Sequence, residues 1–186
     1  MKTIPLSERQ EFWKFQSAAS TFEQAATACA TLLLPDVNEN HPLFYPMMLA
    51  LHALYGRPFK QRQPMRIDEA IVPTGFQKEH TSLIAMRDKI FAHVDATGIK
   101  TTEDAFLNKV IVSVRGSTAR RGIVFLFPRD LAVVRIKSLA TELKSKCLYH
   151  ADKIWRRTMA NEPLPTGDYE VNISGENDSL LIPLKF

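Results

Sequence analysis

The sequence predicts a mainly α protein: a four-helix bundle with one β-hairpin between its third and fourth helices and a second β-hairpin at its C-terminus. Three observations carry that expectation. Apolar residues recur at steps of three and four in four separate segments, the period of one helix face. Two other stretches change to a period of two, the period of a half-buried strand. The first three helices could not close a core without the fourth, so residues 1–186 read as one domain, with hairpins at about 109–127 and about 168–186.

The first helix opens at Ser7 and Gln10, which have capping-box spacing. Phe12, Phe15, Ala19, Phe22, Ala26, Cys29 and Leu33 form its apolar face, and Pro35 ends it. The second helix is expected from about Pro42 to Tyr55, with Phe44, Met47, Met48, Leu51 and Leu54 turned inward. Gly56 followed by Arg57-Pro58 reads as its stop signal. From Arg57 to Gly75 the prolines and basic residues read as a loop with room for one short helical turn. Thr74 and Gln77 offer a capping box for a third helix from about Phe76 to Asp95, with Leu83, Ile84, Ile90, Phe91 and Val94 on its apolar arc.

Lys109 to Arg115 and Ile123 to Phe127 read as paired strands with a polar tip between them. The fourth helix, from about Arg129 to Met159, carries Ile136, Leu139, Ala140, Leu143, Cys147, Ala151 and Ile154 as its stripe. In the tail, Tyr169, Val171 and Ile173 alternate with polar residues, and Leu180, Ile182, Leu184 and Phe186 share a face beyond a polar turn.

Composition narrows the functional classes. The chain is 45% hydrophobic and 24% charged, as expected of a soluble globular protein. A net charge of +4 and a pI near 9.1 permit a polyanionic partner without requiring one. Cys29 and Cys147 fall at apolar helix positions and read as reduced core thiols, which suits the cytoplasm. No signal-peptide core and no membrane-length apolar run is present, so no membrane is expected. There is no P-loop, dinucleotide fingerprint or CxxC, and His52, His80 and His150 lack metal-ligand spacing. No cofactor and no metal are expected.

The most informative segment is Arg87-Asp88-Lys89-Ile90-Phe91-Ala92-His93. At about 100° per residue, Arg87 falls in the middle of the third helix's apolar arc, His93 on one edge, and Asp88 on the opposite edge. A buried cation is costly unless paired. An arginine against an apolar wall is a bidentate phosphate clamp, and a histidine near its free pKa can take a proton from a ribose 2′-OH. Together they suffice for metal-independent RNA cleavage. The same residues also fit a bland reading, in which Arg87 pairs with a carboxylate to set helix register and His93 packs at a helix edge. Arg57, Lys60, Arg62 and Arg66, and separately Arg115, Arg120, Arg121 and Arg129, could track a phosphate backbone or simply be solvated turns.

The heptapeptide resembles the signature of the HEPN superfamily: an arginine, a polar residue, and a histidine after a short gap. The run RDKIFAHVD is similar to a prokaryotic branch that includes abortive-infection proteins, and Tyr55-Gly56-Arg57-Pro58-Phe59 resembles a segment upstream of the signature there. The resemblance implies a helical bundle, a homodimer that brings two signatures together, and metal-independent RNase activity in toxin–antitoxin, defence or stress systems. It implies Arg87 and His93 as catalytic residues with Asp88 in support. RNA and a cognate antitoxin or regulatory protein are the implied partners. Some members are inactive interaction modules, and that alternative stands beside the enzyme. Five residues separate Arg87 from His93 here, where the commonest spacing is four. On a straight helix the two lie about 120° apart, so a partner for His93 has to come from another helix, another subunit or a local unwinding near Gly98.

Overall fold

Small side chains make the first helix the axis on which the others pack. Helix α1 (Leu6–Leu32) buries Ala18, Ala19, Ala25 and Ala28 beside Phe22 and Cys29. A computed structural model describes residues 5–88, 109–115, 118–124, 130–159, 169–173 and 181–183. It is mainly helical, and the helices form a bundle: α2 (Phe44–Lys60) and α4 (Asp130–Met159) lie along α1, while α3 (Gln77–Met86) rests on α2 with a lighter contact to α4. The core is filled from three sides by Phe22 and Cys29, by Leu51, Tyr55 and Phe59, and by Leu139, Leu143 and Cys147, all fully buried. Burial pushes both thiols up to about 12, so neither cysteine is a reactive thiolate.

Two helix boundaries differ from the sequence expectation. Ser7 lies inside α1, which begins after Pro5 without any side-chain cap, so the expected Ser7–Gln10 capping box is not the start of the helix. Proline supplies a preset φ at that position. More consequentially, α2 does not stop at Tyr55. It continues through Gly56, Arg57 and Pro58 to Lys60. Proline costs a helix one intrahelical bond, but here Pro58 and Phe59 are buried, and the Pro58 carbonyl accepts the Ile67 N–H at 2.9 Å. Tertiary burial outweighs the local stop signal. The 61–76 segment then holds two single 3₁₀ turns, Glu69–Ile71 and Thr74–Phe76. Asp68 caps the first by accepting the Ala70 N–H at 2.8 Å. Thr74 lies within the second and caps nothing, while Gln77 donates to the Val72 carbonyl at 3.3 Å instead.

Helix α3 is held from both sides. Arg135 of α4 donates to Glu79 and to the Gly75 carbonyl at 2.9 Å, and its guanidinium lies 5.2 Å from the centre of the Phe76 ring. After Met86 the regular α-helix widens into a π-type turn at Arg87 and Asp88. The expected continuation to Asp95 lies outside the described residues.

Between α3 and α4, strand β1 (Lys109–Arg115) runs antiparallel to β2 (Thr118–Val124), with Val110 opposite Ile123 and Val112 opposite Arg121. This second strand begins at Thr118, not at Ile123, because pairing with β1 continues as far as Arg115–Thr118. Near the C-terminus, β3 (Tyr169–Val171) pairs antiparallel with β4 (Leu181–Pro183). Arg9, buried in α1, donates to the Asn172 carbonyl at 2.6 Å and so ties that segment to the start of the bundle.

Phe22 and Leu143 are buried completely. Truncation to alanine at either site is expected to cost about 3–5 kcal/mol for Phe22 and about 2–5 kcal/mol for Leu143, read from the midpoint of urea unfolding. The exposed Ser138→Ala control should stay within about 0.5 kcal/mol of the parent.

Candidate functional site

The last turn of α2 carries two adjacent stripes at i, i+4 spacing. Tyr55 and Phe59 point into the core, with rings 5.8 Å apart. Gly56 and Lys60 face Arg87 and Asp88. Without a side chain at Gly56, the Arg87 stem comes close to the α2 backbone. A Cβ built there would lie 3.1 Å from Arg87 Cγ and 3.2 Å from Cδ. The stem is thus seated against α2.

Two cations and one carboxylate meet at that point. Arg87 Nη1 donates to Asp88 Oδ1 at 2.8 Å, and Lys60 Nζ lies 2.6 Å from Asp88 Oδ2. The three side chains are 31%, 30% and 38% exposed for Arg87, Lys60 and Asp88 respectively, so the cluster is neither sealed nor fully solvated. Partial burial raises the Asp88 pKa, but the hydrogen bonds and charges of Lys60 and Arg87 outweigh it and hold the carboxyl below its ordinary value. The helical wheel put Asp88 on the edge of the arc opposite His93, about 100° from Arg87. The two residues are in contact where the regular α-helix gives way to a widened turn.

Behind this cluster lies a buried polar pair. Tyr55 Oη and His80 Nδ1 are 2.9 Å apart, and His80 Nε2 is 3.6 Å from Glu69. Burial lowers the His80 pKa, with Lys60 adding to the effect and Glu69 opposing it. Neutral His80 with its proton on Nε2 accepts the Tyr55 hydroxyl hydrogen and presents N–H to Glu69. His52 is also held neutral by burial, against the opposing pull of the Met48 carbonyl, which lies 2.7 Å from Nδ1. His150 stacks on Phe15 at 4.8 Å. The three histidines are therefore engaged with different partners, and among the described residues no group of His, Cys, Asp and Glu is arranged to hold a metal ion.

The structure thus brings together three of the residues singled out from sequence: Lys60, Arg87 and Asp88. Arg57 is exposed on the same turn of α2, in a helix and not in the expected loop. Arg120 and Arg121 are backbone positions of β2 opposite Ser113 and Val112, and their side chains are outside the described set. His93 also lies outside the described residues. Sequence reasoning missed Gly56, which it used as a stop signal. The clue was its place within the Tyr55–Phe59 segment that resembles one upstream of the signature. A separate pocket of about 160 Å³ opens among α2, α3 and α4, lined by His52, Glu79, Ser82, Met86 and Ile136 among others, and none of the three clustered charges lines it.

No family model, curated protein or solved structure matches this chain. Among the described residues, no helix is long and apolar enough to cross a membrane.

Acid should destabilise the fold on two counts. His52 and His80 have lowered pKa values in the folded state, so the unfolded chain takes up protons first as pH falls through about 6.5. Asp88 and Glu79, also lowered, contribute stability that is lost as pH falls further through their folded pKa values. The drop in Tm between about pH 7 and about pH 5 should be smaller in His80→Gln than in the parent. Parallel curves would remove His80 from this account.

Gly56→Ala tests the seat. The substitution should gain less than the roughly 1 kcal/mol expected of Gly→Ala inside a helix, because the Arg87 stem has to give way. NMR should show the Arg87 Nε–H resonance displaced and the Asp88 carboxyl pKa raised.

Proposed function

We propose that the chain is a HEPN-like helical protein that acts on RNA as a metal-independent ribonuclease. One observation carries this reading: the Arg87 stem packs against Gly56, Arg87 and Lys60 meet at Asp88, and the Arg87 side chain remains about one-third exposed, so a phosphate can reach it. A planar guanidinium and a neighbouring ammonium suit two non-bridging oxygens of a phosphodiester. In this reading Arg87 and Lys60 position the phosphate and stabilise charge on the phosphorane. His93 is the general acid or base, and Asp88 supports Arg87. Arg57, Arg120 and Arg121 would extend the track for the RNA backbone. The β1–β2 and β3–β4 pairs are hairpins added to the bundle. A homodimer would bring two copies of the Arg87–His93 segment to one cleft in the cytoplasm, and a cognate antitoxin or regulatory protein would control it.

A second reading is a non-catalytic interaction module in a defence or toxin–antitoxin system. The ion contacts of Arg87 with Asp88, and of Asp88 with Lys60, favour it, since such a cluster can fasten α2 to α3 without any chemistry.

RNA cleavage in EDTA separates the two. The parent should cut RNA, and Arg87→Ala and His93→Ala should each lose about 10²- to 10⁴-fold. An inert parent, or variants as active as the parent, would remove the nuclease reading. Full stability of Arg87→Met alongside an inert parent would favour the module.

A further inference from the structure

We propose that the Lys60–Asp88–Arg87 cluster is a phosphodiester-binding site closed by its own carboxylate: Asp88 occupies the place of the incoming phosphate and is displaced by it. This inference rests on the anion-clamp reading of Arg87 and goes beyond it, because it gives Asp88 a second part: it orients Arg87 while the site is empty and yields its place to the phosphate.

The geometry carries the argument. Asp88 spends one oxygen on each cation, with Oδ1 on Arg87 Nη1 at 2.8 Å and Oδ2 on Lys60 Nζ at 2.6 Å. Two non-bridging phosphate oxygens would meet the same two donors in the same way. Charge favours exchange as well. Among the described residues, two cations against one carboxylate leave one positive charge over in the cluster, and a phosphodiester carries the same single negative charge as the carboxylate it replaces. Each of the three side chains is about one-third exposed, so Asp88 can swing into water without stranding a buried charge. Ion pairs at that level of exposure are weak. The guanidinium does not leave with Asp88, because its stem remains seated against Gly56. A site whose competent form is only a fraction of the population binds more weakly by that fraction. Asp88 therefore sets the threshold at which RNA engages.

The test uses the full chain and a fluorescent 2′-O-methyl oligonucleotide, which has phosphodiesters but no 2′-hydroxyl nucleophile, so binding is read apart from cleavage. Asp88→Asn and Asp88→Ser should tighten binding by about threefold or more, with unchanged far-UV circular dichroism. Arg87→Met and Lys60→Met should weaken it, and Asp88→Asn combined with Arg87→Met should lose the gain. Asp36→Asn, an exposed carboxylate far along the chain, controls for the change in net charge. Asp88 variants that bind no tighter than the parent, or no tighter than Asp36→Asn, overturn the proposal while leaving the clamp in place if Arg87→Met still weakens binding. Arg87→Met and Lys60→Met binding as the parent does would overturn both.

Discussion

Three aromatic rings hold the α2–α3 end of the bundle together. Phe22 of α1 lies 5.8 Å from Tyr55 and 5.7 Å from Phe59 of α2, and the edge of Phe59 meets His80 of α3 at 4.8 Å. Tilted and edge-on arrangements of this kind are favoured by the ring quadrupoles and add to the gain from buried area. The cluster links three helices through one turn of α2. It also extends that turn past Gly56 and Pro58, residues that taken alone would end a helix. Once Tyr55 and Phe59 are committed to the core, helical spacing places Gly56 and Lys60 on the neighbouring face, where α3 delivers Arg87 and Asp88.

The same turn therefore has two chemistries back to back. On its inner side the Tyr55 hydroxyl and His80 satisfy each other, and burial keeps the imidazole neutral. On its outer side two cations share one carboxylate at partial exposure. The arrangement separates charge by solvation: the group that would be costly to ionise is inside, and the groups that are always ionised reach water. Lys60 belongs to both sides, since its charge depresses the His80 pKa as it pairs with Asp88.

Much of this was legible in the sequence, and the parts that were not have physical causes. Four amphipathic periods marked the helices, because burial of one face is what makes a helix stable in a protein. Arg87 stood out as a cation within an apolar arc, and Asp88 and Lys60 were marked as candidates too. Their convergence was hidden by two local signals that tertiary packing overrode. Gly56-Arg57-Pro58 has the form of a helix terminator, yet the buried side chains of Tyr55, Pro58 and Phe59 carry the helix through it. This moves Lys60 from a loop onto the face opposite Arg87. The helical wheel, for its part, assumes a straight α-helix, and the widened turn at Arg87 and Asp88 breaks that assumption at the residues where it was needed most. Ser7 and Gln10 show the weaker form of the same lesson, since capping-box spacing is common and the chain began its first helix elsewhere.

A structural strut and a binding site make opposite demands on an arginine. A strut tolerates full enclosure and can often be replaced by an apolar side chain of similar volume with little loss of stability. A ligand-binding arginine has to keep its donors within reach of solvent and its stem immobile, so that little ordering remains to be done on binding. Arg87 is compatible with the second pair of conditions: its stem packs against Gly56, its side chain is about one-third exposed, and its ion partner among the described residues is a part-exposed carboxylate. Ion pairs of that exposure contribute about 0–1 kcal/mol to stability, which is small against the fully buried aromatic and aliphatic core. The fold accordingly does not depend on the cluster, while the position of the cluster depends entirely on the fold. That one-way dependence is what the proposed phosphate site requires.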